Sequence, residues 1–143
     1  MPLPYRYKKL TYWILLTNCL IIVGAGHGVA PMIFFEIFVP FNLGADGFEF
    51  CIGNCNYEKS ILLSAILCFC GQILLLIANS EESRVTRTFG LVFMWLGLYN
   101  LCHNFDDMAG ITLSFALPFI VTTLYFLFFS TKDVIDRRKA NEL

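Results

Sequence analysis

Long apolar runs separated by short polar breaks set the plan of this chain. Uncharged stretches extend from Leu10 to Phe35, Ser60 to Ser80, Thr88 to Cys102 and Met108 to Thr131, with His27 counted as neutral. A bilayer core of about 30 Å takes about 20 helical residues, with a lower limit near 17. The first, second and fourth runs meet that length outright. The third meets it if Arg87 snorkels at one end and His103 lies at the opposite interface. The pattern predicts an all-α integral membrane protein, a single domain over residues 1–143, with transmembrane helices over about 10–30, 60–80, 88–104 and 108–131. An outer loop 31–59 and a tail 132–143 complete it.

Finer expectations follow from residues that interrupt the apolar pattern. Asn18 and Gln72 each lie about 11–14 Å into the membrane when counted at 1.5 Å per residue from the inner ends, so they are placed to hydrogen-bond across helices. Gly24 and Gly28, Gly90 and Gly97, and Gly110 and Ser114 form small-residue faces suited to close helix packing and self-association. Pro31 and Pro40 bracket a short interfacial or re-entrant helix whose one acid, Glu36, is expected to reach headgroup water, a functional acid at this depth being the alternative. Beyond it, Gly44, Asp46-Gly47 and Gly53-Asn54 are turn residues and Phe48-Glu49-Phe50 alternates like a strand, which predicts a small outer hairpin. Cys51 and Cys55 flank its turn and are expected to close a disulfide on the oxidising side. Pro118 should kink the last helix.

Composition strengthens the membrane assignment. With 57% hydrophobic and 15% charged residues, the chain carries more apolar surface than a soluble domain of its size buries. Position makes the charge informative: Arg6, Lys8, Lys9, Arg84, Arg87, Lys132, Arg137, Arg138 and Lys139 fall on one side of the expected spans and Lys59 alone on the other. That asymmetry places both termini in the cytoplasm. The expected location is a plasma membrane of bacterial inner-membrane type. The net charge of −1 gives no electrostatic case for nucleic acid.

Candidate chemistry gathers at the outer face. Tyr99, His103, Asp106 and Asp107 share one side of a helix, and His27 reaches a similar depth, about 24–27 Å from the inner interface. His27, His103, Asp106 and Asp107 together offer nitrogen and oxygen ligands for a divalent transition metal, or a pH-sensitive pair; the simpler alternative is that they cap helices in headgroup water. No cofactor is expected. In layout, with four helices and a cysteine pair in the first outer loop, the chain resembles the bacterial disulfide-oxidising quinone reductases, which implies a membrane thiol–disulfide oxidoreductase. Its C-x-x-x-C spacing and the lone Cys102 in the second outer loop depart from that pattern. The expected function is a non-enzymatic membrane subunit that oligomerises in the lipid bilayer and senses, anchors or protects there, as bacterial immunity or antiphage-defence proteins do. A cytoplasmic partner would dock on Arg84, Arg87, Lys132, Arg137, Arg138 and Lys139. A channel or transporter-like protein with the outer His/Asp site is the alternative.

Overall fold

The computed structural model describes residues 5–25, 28–38, 57–103 and 107–141. Most of these are helical: α1 (Tyr5–Cys19), α2 (Met32–Phe38), α3 (Tyr57–Glu81), α4 (Arg84–Cys102) and α5 (Asp107–Asn141), with strands β1 (Ile22–Ala25) and β2 (Gly28–Pro31) between α1 and α2. Among the described residues two helical stretches, Lys59–Glu81 and Met108–Ile135, are long and apolar enough to cross a membrane. The expected outer hairpin, with Cys51 and Cys55, lies outside the described residues.

The long helices pack antiparallel. Along α3 and α4, Ser64 meets Asn100, Gly71 meets Gly90 and Ala78 meets Arg87. Along α1 and α5, Tyr7 packs on Phe126 and Thr17 meets Thr122. The core between them is built from Ile14, Leu75, Met94, Leu101 and Phe119, all essentially without exposed surface. The α3–α4 contact is the tightest because neither Gly71 nor Gly90 carries a side chain. A Cβ on either would stand 2.7 or 2.9 Å from the carbonyl oxygen of the other, and a Cβ on Gly97 would meet Cys68 Sγ at 2.7 Å and the Ser64 oxygen at 2.9 Å. Such close approach brings many atoms of the two helices into van der Waals contact. Between the two helices Glu82 takes a left-handed backbone (φ 57°), is paired with Lys8 at 2.9 Å, and is followed by Ser83, which caps the α4 N-terminus through the Thr86 amide.

The first expected span is corrected. Instead of one helix over 10–30, α1 stops at Cys19 and the chain turns into an antiparallel hairpin with Ile22 opposite Pro31 and Ala25 opposite Gly28. Ile21, Ile22 and Val23 are β-branched, the glycines that follow each cost a helix about 1 kcal/mol, and Pro31 removes a helical donor, so the local sequence favours strands. Gly24 and Gly28 therefore do not form one face of a helix; Gly24 sits across from Val29. Non-helical backbone in an apolar setting persists only where its polar groups are satisfied. Here the Met32 amide donates to the Ile21 carbonyl at 2.7 Å, and the Gly24 amide donates to the Tyr57 hydroxyl at 3.2 Å, which in turn meets Thr112 Oγ1 at 2.5 Å.

At the other end of the chain α5 runs unbroken from Asp107 through Pro118 to Asn141, so the expected tail continues the last helix. Its outer surface is apolar: Met108, Ile111, Phe115, Val121, Leu124 and Phe128 are exposed at three- and four-residue spacings, apart from one longer step. The same holds for Val85, Phe89, Val92, Leu96 and Tyr99 on α4, and for Phe69, Ile73, Leu76 and Ile77 on α3.

Candidate functional site

Where α1 gives out, three polar side chains from three elements meet inside the apolar core. Asn18 belongs to the last turn of α1, and its backbone carbonyl accepts from the Ile21 amide at 3.1 Å as the helix tightens and ends. Gln72 comes from the middle of α3. Glu36 comes from α2, which the β1–β2 hairpin folds back against α3. On that short helix Met32 and Glu36 are four residues apart, share one face and are both buried.

Gln72 is the hub. Its Nε2 lies 2.8 Å from Asn18 Oδ1 and 2.8 Å from both Glu36 Oε1 and Glu36 Oε2. An amide nitrogen has two hydrogens, so one N–H serves Asn18 and the other is shared by the carboxyl oxygens. Cys19 Sγ approaches the same nitrogen at 3.6 Å, and Asn18 Nδ2 donates to Cys68 Sγ at 3.9 Å, so two thiols complete the surroundings. The contact of Asn18 with Gln72 joins the two residues that equal depth had paired.

Glu36 departs from expectation. It is 1% exposed and not in headgroup water, and among the described residues no basic side chain pairs with it. Its two oxygens have the Gln72 amide as their neighbour and no counter-charge. A carboxyl whose partner is an amide gains little in its charged form and pays the full cost of burying charge. The signal in the sequence was the lone acid set four residues from Met32 in an otherwise apolar segment. What hid it was the hairpin, which alone determines how deep α2 lies.

The outer cluster is described only in part. His103 follows the last turn of α4, its Nδ1 donates to the Asn100 carbonyl at 2.8 Å, and its ring lies 6.0 Å from that of Tyr99. Asp107 opens α5, but its side chain is not among the described ones; His27 and Asp106 lie outside the described residues. Among the described residues no three His, Cys, Asp or Glu side chains converge.

The small-residue and basic sets divide. Gly90 and Gly97 pack against α3 within the chain, whereas Gly110 faces open space and the Ser114 hydroxyl donates to the Gly110 carbonyl of its own helix. Arg84 and Lys132 are exposed. Arg87, expected on a docking surface, is 3% exposed and is removed from it. Arg137, Arg138 and Lys139 lie on the last turns of α5, with side chains outside the described set.

No protein-family model, no curated protein and no solved structure matches the chain.

Proposed function

We propose that this chain is a non-enzymatic, polytopic membrane protein that crosses the bilayer four times with both termini in the cytoplasm, and that it works by a change of conformation set by the protonation of Glu36. The observation that carries the proposal is the enclosed Glu36–Gln72–Asn18 cluster at the place where α1 breaks. A substrate cannot reach a carboxyl that is 1% exposed, whereas a proton can change the charge it carries. Neutral Glu36 holds α2 and the hairpin against α3. Ionised Glu36 places an uncompensated charge in an apolar core, which favours withdrawal of α2 toward water. The membrane setting is supported by the outward apolar faces of α3, α4 and α5; most of the apolar part of α5 faces outward, unlike the core helix of a soluble domain.

The sign of the pH dependence follows from the burial. A carboxyl enclosed with an amide and no counter-charge favours the closed form when it is neutral and opposes it when it is ionised, so the closed form is favoured in acid and loses that support as pH rises. Hydrogen exchange of residues 22–38 in lipid nanodiscs should therefore speed up as pH rises, while exchange in α4 stays unchanged. In Glu36→Gln, which keeps the shape and removes the titration, the same segment should exchange at a pH-independent open fraction once intrinsic chemistry is corrected. A wild-type open fraction that does not vary with pH, in a correctly folded protein, would remove Glu36 as the switch.

A further inference from the structure

Arg87 poses a problem that the Glu36 cluster does not absorb. It lies in the opening turns of α4, yet it is almost fully buried. Its Nη2 donates to the Ala78 carbonyl at 3.2 Å and its guanidinium carbon stands 5.9 Å from the Phe126 ring centre, but its buried Nε has no hydrogen-bond partner. Among the described residues no carboxylate forms an ion pair with Arg87 or with Arg84, and the acid in the adjoining turn, Glu82, is paired with Lys8. A buried cation with an unmet donor is costly unless something anionic compensates it.

A cavity of about 40 Å³ opens beside Arg87, lined also by Tyr7, Arg84, Thr88, Phe126 and Ser130. That is several times the roughly 10–15 Å³ a single water needs. Its donors point to a negative occupant. Two guanidiniums and the Ser130 hydroxyl border it and no acid does; the Tyr7 hydroxyl is engaged by Asp133 and the Thr88 hydroxyl by the Arg84 carbonyl, so these two serve as walls. The first turn of α4 holds no acidic residue, so the positive end of its helix dipole adds to the field. On the far side of Tyr7 a larger cavity of about 510 Å³ brings Arg6 and Lys9 to the same end of the molecule, with Asp133 as the acid that lines it.

We propose that the Arg84–Arg87 cavity binds a phosphate-class oxyanion, gripped by the two guanidiniums with Ser130 as a third donor. Planar guanidinium forks match the paired oxygens of a phosphate, which a lysine does only as a point charge. The oxyanion has two possible sources, an anionic lipid headgroup or free phosphate. The lipid source rests on the membrane assignment and on exposed Val85 and Phe89, beside which acyl chains would lie; the free source does not.

The full chain, stripped of lipid in detergent and held in gluconate at constant ionic strength, is titrated with inorganic phosphate. Separately it is placed in phosphatidylcholine nanodiscs with and without phosphatidylglycerol. Thermal midpoint and lipid retention by native mass spectrometry are read for wild type, Arg87→Gln and Arg84→Gln. A lipid headgroup is the ligand if phosphatidylglycerol raises the midpoint and is retained by wild type, with affinity falling about ten-fold or more in either variant. Free phosphate is the ligand if phosphate alone does so, with the same loss. Arg84 is exposed, so Arg84→Gln carries the test if Arg87→Gln fails to fold. The proposal is overturned if neither probe shifts the wild-type midpoint, or if the shift is the same in Arg84→Gln.

Discussion

A side-chain amide with more acceptors than hydrogens holds the centre of this molecule, and its removal exposes how much each partner depends on it. Gln72→Leu would leave the Asn18 oxygen and both Glu36 oxygens without the donor they share. Each orphaned buried group costs about 1–3 kcal/mol. The variant should therefore unfold about 2–5 kcal/mol more easily in detergent at neutral pH, with a smaller loss in acid, where Glu36 is neutral. Adding Glu36→Leu to Gln72→Leu should restore part of the deficit, because an apolar pair is cheaper to bury than an unpartnered acid. Additive losses in the double variant would mean that the two side chains act independently. Two of the three polar side chains were legible in the sequence: Asn18 and Gln72 stand at equal depth on helices whose ends the charges mark. Glu36 was not legible as buried, because its depth depends on a reversal of the chain ten residues earlier.

That reversal shows why the elements were harder to read than the runs that contain them. From Leu10 to Phe35 the chain is apolar throughout, so periodicity cannot separate a spanning helix from a helix followed by a buried hairpin. Gly24 and Gly28 suit either outcome, and β-branched Ile21 to Val23 with Pro31 decide for strands through local propensity. In α3 and α4 the apolar pattern and the local propensities agree, and helices form close to where the pattern puts them. Their glycines then separate by contact. Gly90→Ala would drive a methyl to 2.9 Å from the Gly71 carbonyl and 3.0 Å from Leu75 Cγ; the carbonyl is fixed in its own helix, so the two helices must part, at about 1–3 kcal/mol. Gly110→Ala meets open space and should be neutral or stabilising by up to about 1 kcal/mol through helix propensity. Denaturant unfolding of both variants tests the contrast, and equal losses would remove the α3–α4 groove as the tight contact.

At the scale of the whole molecule, antiparallel packing turns a scattered set of charges into a polarised one. The start of α1, the turn between α3 and α4 and the C-terminal half of α5 come together through Lys8 with Glu82, Tyr7 with Asp133 and Arg87 with Phe126, so Arg6, Lys8, Lys9, Arg84 and Arg87 gather at one end. Lys59 stands at the opposite end, beside Ser60, which meets Asn100 near the close of α4. Basic side chains concentrated at one end, with apolar outer faces between the ends, fit a bundle that stands across a bilayer with that end in the cytoplasm. Cysteines placed at exposed Lys59, Glu81 and Lys132 test the orientation with a membrane-impermeant maleimide. On intact cells Lys59→Cys should react and the other two should be protected; after the membrane is opened all three should react. Protection of Lys59→Cys with labelling of Glu81→Cys and Lys132→Cys would invert the orientation. Labelling of all three from outside would mean that α3 does not cross, and the outward apolar faces would then have to be covered by further copies of the chain instead of lipid.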